Sequence, residues 1–156
     1  MEELEQRART VIDTNKYMTL ATIGPDGLPW ATPVFFTPDG YSRLYWASDP
    51  ETQHSRNIAD RPEVAIVVFD SSVPIGSAQA VYMRAHAAEV APDELADRAE
   101  FYCGRYPETR DFVDELLRPD PRFRLYVALV SEHSVLVRGS DPTYGTGADS
   151  RIRVNL

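Results

Sequence analysis

The sequence predicts a mainly-β fold, an antiparallel barrel of about six strands with short helices at its periphery. Three observations carry that expectation. Stretches rich in β-branched and aromatic residues recur between tight turns bearing Gly, Pro and Asp. Helical patterns interrupt them in few places, which favours hairpin-linked strands over a parallel βαβ sheet. The 156 residues, 43% hydrophobic and 26% charged, suit one core in a single domain spanning residues 1–156.

The elements follow in order. Leu4, Ala8, Val11 and Ile12 form one apolar stripe at helical spacing, and Asp13-Thr14-Asn15 ends it. Tyr17 to Ile23 reads as a strand closed by the turn Gly24-Pro25-Asp26-Gly27, and Leu28 to Phe36 returns beside it. Pro29 and Pro33 each delete a ladder donor, so this second strand belongs at an edge or beside a ligand. After Pro38-Asp39-Gly40, Arg43 to Ser48 makes a third strand. Asp49-Pro50 reads as an N-cap and first helical residue, opening a helix that stops before Arg61-Pro62. Glu63 to Phe69 is an apolar central strand. Ala78 to Val90 is a long strand in which Val81, Met83, Ala85 and Ala87 alternate with Tyr82, Arg84 and His86. Pro92-Asp93 and Pro107 open two helices, Phe123 to Val137 returns as one or two strands, and a Gly-rich segment leads to the closing RIRVNL.

Composition excludes several functions. Sixteen basic against 24 acidic side chains give a formal charge of −8, which repels nucleic acids and anionic membranes. One cysteine, Cys103, rules out a disulfide framework and a Cys-rich zinc site, and suits a reducing, cytoplasmic setting. No apolar run reaches the length of a membrane span, and MEELEQRART is charged where a secretory signal is apolar. P-loop, dinucleotide-binding and nucleophile-elbow motifs are missing, and His54, His86 and His133 lie too far apart for a local metal motif. No metal site is expected. Cys103 reads as a packed small hydrophobe.

Residues 18–69 carry the informative pattern: MTLATI, the Asp26-Gly27 turn, PWATPV, LYWAS, the helix QHSRNIA, Arg61-Pro62 and the valine-rich AIVVFD. In this order the chain resembles the pyridoxamine 5′-phosphate oxidase family of FMN-binding proteins. The late AQAVYMRAHAAEV and the closing RIRV are similar to that family's later segments. The resemblance implies a six-stranded split β-barrel of Greek-key type and an FMN-dependent oxidoreductase acting on an unidentified small molecule. It also implies a homodimer with the cofactor at the subunit interface. Cofactor binding falls on Trp30, Ala31, Thr32, Pro33, Ala47, Ser48, Gln53, His54 and Gln79, the last approaching across the interface. Trp30 and Trp46 are candidates to wall a planar ring, or else core residues.

The physical logic fits a flavin mononucleotide. A phosphate needs donors, and Ser48 followed by a helix N-terminus offers a hydroxyl and backbone N–H groups. His54 stands where the family has lysine, and Thr32 where the oxidase proper often has arginine. Both changes weaken a phosphate site, so oxidation of pyridoxamine phosphate itself is not expected. A deazaflavin or haem in the same cleft, or a flavin-binding carrier or sensor without turnover, are the alternatives. A flavin supplies its own redox chemistry, so no acid or base is assigned. Arg151 matches the family's terminal arginine. Arg84 and His86 share one strand face, equally suited to an interface, a cleft or open surface.

Overall fold

The computed structural model describes all of residues 1–156. Its elements are α1 (Glu2–Thr14), β1 (Tyr17–Ile23), β2 (Pro29–Phe35), β3 (Thr37–Asp39), β4 (Arg43–Ser48), α2 (Gln53–Asp60), β5 (Glu63–Phe69), β6 (Ala80–Glu89), α3 (Leu95–Cys103), α4 (Phe112–Leu116), β7 (Arg124–Val137) and β8 (Ser150–Val154). The strands form one antiparallel sheet in the order β2-β1-β5-β6-β7-β4-β3, with β8 added to β7. β2 and β4 are separated by four strands in that order, yet they touch. The sheet therefore curls on itself into a partly closed barrel, the expected class. None of the helices is long and apolar enough to cross a membrane.

Eight strands stand where about six were expected. β3 was hidden because Thr37, Pro38 and Asp39 read as a turn, although they pair with Tyr45, Leu44 and Arg43. β8 is the closing RIRV segment, aligned against His133 to Val137. Strand β7 runs unbroken for 14 residues because it borders β6, β4 and β8 in succession. Ser131 is its extra residue, a bulge opposite Arg84 and Ala85 whose hydroxyl donates to the Arg84 carbonyl at 3.2 Å.

The apolar stripe of α1 is buried as its spacing predicts, with Leu4, Ala8 and Ile12 fully enclosed against the concave side of β5 to β8. A core of 23 buried residues joins that helix to the sheet interior, and a smaller cluster of seven lies under α3 and α4. α1 ends in a polar clasp. The Arg105 guanidinium donates to the carbonyls of Ile12 (3.3 Å), Asp13 (3.1 Å) and Asn15 (2.9 Å), and also to that of Phe36. Those carbonyls are the acceptors a helix C-terminus leaves unmatched, and one cation serves them together with the end of β2.

Pro107 opens only a 3-10 turn (Pro107–Thr109), and α4 follows at Phe112 rather than continuing from it. Two other boundaries differ from expectation for identifiable reasons. Asp49 does not cap α2: its carboxylate accepts the Glu51 N–H at 2.8 Å in a local turn. The helix consequently begins three residues after Pro50, with Thr52 in the N-cap position. β6 begins at Ala80 because the Ala78 carbonyl is taken by the Arg138 guanidinium (3.2 and 3.1 Å) rather than by a ladder partner.

Candidate functional site

β2 is an edge strand, paired only to β1, so its second backbone edge is unmatched by any strand. Pro29 and Pro33 are tolerated for that reason. Alternation along β2 divides the predicted residues between two faces. Trp30 and Thr32 lie opposite Thr22 and Leu20, on the side where Thr22 and Leu20 are buried. Ala31 and Pro33 lie opposite Ala21 and Thr19, on the outer face. Trp30 remains 49% exposed, an indole on the open rim of the sheet.

α2 packs on the same side as Trp30 and Thr32. Gln53 Nε2 donates to Asn57 Oδ1 at 2.7 Å, and Asn57 Nδ2 donates to Thr22 Oγ1 at 2.9 Å, which ties the helix to β1. The Arg61 guanidinium, just past the helix, donates to the Gly24 carbonyl at the start of the β1–β2 turn. Gly27 in that turn has φ +79°, a conformation that strains any residue with a Cβ. The same turn is held by the Asp26 carboxylate, which accepts the Leu28 N–H at 3.0 Å.

The handover from β4 to α2 gathers polar side chains. Ser48 Oγ and His54 Nε2 are 2.7 Å apart, although both residues are buried (7% and 8% exposed). Thr52 Oγ1 lies 3.2 Å from the same ring nitrogen and 2.8 Å from Ser55 Oγ, and the Ser55 hydroxyl in turn meets the Tyr126 hydroxyl. Burial lowers the pKa of His54 below the ordinary imidazole value, so the ring is neutral near pH 7. Two hydroxyls and an imidazole thus converge within hydrogen-bond reach. In this structure the groups satisfy one another, and the Thr52 hydroxyl also reaches the Asp49 carbonyl at 2.9 Å. Freed from these bonds they are donors of the kind a phosphate takes, with no permanently charged side chain among them.

Other predicted residues take different places. Ala47 turns away from Ser48, and its side chain packs against the cluster under α3. Trp46 does not wall a ring: it is 0% exposed and stacks on Tyr126, with centroids 5.6 Å apart and planes at 15°. Its indole Nε1 is the one buried side-chain polar atom without a partner. Gln79 lies exposed in the loop before β6, and Cys103, the last residue of α3, is buried. Thr22, Thr52, Ser55 and Tyr126 were missed. Only Thr52 had a readable signal, a hydroxyl residue just before a helical stretch.

None of the five principal clefts is lined by Trp30, Thr32, Ser48 or His54. The largest, about 510 Å³, lies on the outer face, with Ala21, Ala65 and Leu129 as floor and Glu63, Arg84 and His86 at its rim. His86 Nδ1 is 3.8 Å from Glu63, while Arg84 has no acidic partner. Arg151 lies flat on Tyr82, its guanidinium carbon 4.0 Å from the ring centroid.

Comparison with known proteins agrees with this architecture. Among solved structures, a heme-binding protein from Mycobacterium smegmatis superposes with a TM-score of 0.70 at 21% identity, over 93% of this chain and 55% of that one. The heme storage protein HutZ from Vibrio cholerae gives 0.66 at 19% identity, over 87% and 95% of the two chains. An F420 reductase gives 0.58 at 24% identity, over 81% and 95%. The chain thus spans little more than half of the first of these and nearly all of the other two, and at such identities the likeness establishes the fold. No curated protein sequence matches the chain. The family model for pyridoxamine 5′-phosphate oxidase matches residues 4–132, and so the chain belongs to the pyridoxamine 5′-phosphate oxidase family.

Proposed function

We propose that this protein is an FMN-binding oxidoreductase of that family, acting on a small molecule as a homodimer, with the phosphate held at the β4–α2 handover. The observation that carries this reading is the convergence of Ser48, Thr52 and His54 beside the strand pair β1–β2. Gln53 and Asn57 fasten the helix there, and β2 presents a free backbone edge and Trp30. Backbone groups on that edge can serve the polar rim of a flat heterocycle, and Trp30 can cover its face. When bound, the flavin supplies the redox chemistry. The side chains hold its tail, orient its ring and exclude water.

The dimer is part of the proposal. Ile23, Phe69 and Leu129 are exposed, and Ala31 and Ala65 beside them lie on the outer face. A second copy would bury this surface and supply the wall that the single chain lacks near Trp30. Gln79, exposed before β6, is the residue we assign to reach across. The altered cations at Thr32 and His54 speak against pyridoxamine phosphate as substrate. The test is FMN affinity by fluorescence quenching. Replacing Ser48 and His54 together by alanine should weaken binding at least tenfold, and unchanged affinity would remove the phosphate site from this place. A deazaflavin or haem bound in preference to FMN would shift the reading to the alternative cofactors that relatives of this fold carry.

A further inference from the structure

We infer that phosphate binding in this protein is coupled to a proton: His54 takes one from solvent as a phosphate monoester enters the Ser48–Thr52–His54 cluster, so FMN binding is pH-linked in a way that riboflavin binding is not. The inference rests on the FMN-site reading above and goes beyond it, because it makes one residue a charge-matched gate.

Apart from His86 on β6, which shares a cleft with Ser55 and Tyr126 and has Glu63 3.8 Å from its Nδ1, the charges around the cluster leave His54 as the group that can change. Asp49, before the helix, is 3.7 Å from Arg122, and Glu51 is 3.1 Å from Arg56 on α2. Arg124, opposite Ser48 in the β4–β7 ladder, is 3.8 Å from Glu89 on β6. Arg61 is engaged with the Gly24 carbonyl, and Asp60 is exposed at the far end of α2. Tyr126, on β7, meets Ser55 and has its pKa raised by burial, so it stays neutral. The facing residues of β1 and β2, namely Thr22, Trp30 and Thr32, do not titrate. The carboxylates of Asp49, Glu51 and Glu89 therefore each have a guanidinium beside them, and each nearby guanidinium is already engaged.

A phosphate monoester brings between one and two negative charges into this neutral, buried cluster. Burial holds the free imidazole uncharged, whereas an adjacent anion favours its protonated form. Protonation makes both ring nitrogens donors. Ser48 Oγ, 2.7 Å from Nε2, then accepts from the ring, and its own hydrogen is left for a phosphate oxygen. The proton comes from solvent, and no other bond is made or broken. A lysine at this position starts from an ordinary pKa of about 10.4, far above the pH range of interest, and would therefore show much weaker coupling even with burial lowering it.

Calorimetry tests this directly. The full-length protein is titrated with FMN and with riboflavin between pH 6 and 8, in buffers of different ionisation enthalpy, and the His54→Lys variant is titrated with FMN. The phosphate of FMN titrates in the same range, and the variant subtracts that contribution. At pH 7 the wild type should take up close to one proton more than His54→Lys. Its FMN affinity should fall by up to about tenfold per pH unit as pH rises, relative to the variant. Riboflavin should show no such slope. Equal proton uptake by the two proteins, or the same slope for riboflavin as for FMN, would overturn the inference while leaving the FMN site standing. Absence of FMN binding at every pH would overturn both. Because the lysine of the variant would sit in a buried place and could impair folding, NMR titration of the His54 imidazole in the wild type gives a second measure. Its pKa should rise on adding FMN, and an unmoved pKa contradicts the proposal.

Discussion

Removing Arg105 should loosen the whole concave side of the sheet. Its guanidinium donates to the Ile12, Asp13 and Asn15 carbonyls at the end of α1 and to the Phe36 carbonyl after β2, and its carbon lies 4.8 Å from the Phe36 ring centroid. A hydrogen bond to a charged group contributes about 1.5–3 kcal/mol net. The four bonds share one cation, and water can reach part of the site, so they do not add in full. Two bonds' worth gives a loss of about 3–6 kcal/mol for Arg105→Ala, close to the cost of breaking a buried charged network. At this chain length each kcal/mol moves Tm by about 2–4 °C, so a fall of about 10 °C is expected. Arg105→Lys keeps the charge but not the planar fork, and should recover a minority of the loss. Urea denaturation and a thermal melt measure both variants. A loss below about 1 kcal/mol for the alanine variant would show that α1 is held by its apolar stripe alone, and would refute the clasp.

Three further outcomes are expected. His54 and His133 are buried and their pKa values are lowered by desolvation, so the unfolded chain takes up protons first as pH falls. Stability present above the ordinary imidazole pKa of about 6.5 is then lost toward lower pH, at up to about 1.4 kcal/mol per pH unit for each ring. Urea midpoints at pH 7.5, 6.5 and 5.5 measure this, and a flat profile contradicts it. Trp46 fills the core but its Nε1 finds no acceptor. Trp46→Phe should therefore cost about 1–2 kcal/mol, well below the 3–5 kcal/mol of Trp46→Ala, and equal losses in denaturation would deny that difference. Cys103 is 1% exposed, with burial as the main cause raising its thiol pKa to about 11. A disulfide reagent at pH 8 should leave it unmodified until urea unfolds the chain, and rapid reaction with the native protein is the opposing result.

The parts legible in the sequence were those with a local physical cause. The stripe Leu4-Ala8-Val11-Ile12 specified α1 and its buried side. The two prolines placed β2 at an edge, and the turn residues marked the β1–β2 hairpin. The six-residue spacing of Ser48 and His54 brought their side chains to 2.7 Å because one turn of chain reverses between β4 and α2. What could not be read depends on partners distant along the chain. β3 forms because β4 offers it a ladder, against the turn character of Pro38-Asp39. Asp49 has the residue type of a helix cap, but its carboxylate accepts the Glu51 N–H instead. Thr22 and Tyr126 join the polar network across 35 residues to Asn57 and through Ser55 respectively, separations that no motif encodes. The cation expected for a phosphate was replaced by a ring that burial keeps neutral, and the helix around His54 gave no sign of that burial.

Whether this chain carries FMN is read most directly by purifying it without added cofactor, denaturing it and identifying the released small molecule by mass spectrometry. A yellow protein that yields FMN is expected. A protein that releases haem or a deazaflavin, or one that stays colourless and fails to take up FMN when saturated with it, is not an FMN protein.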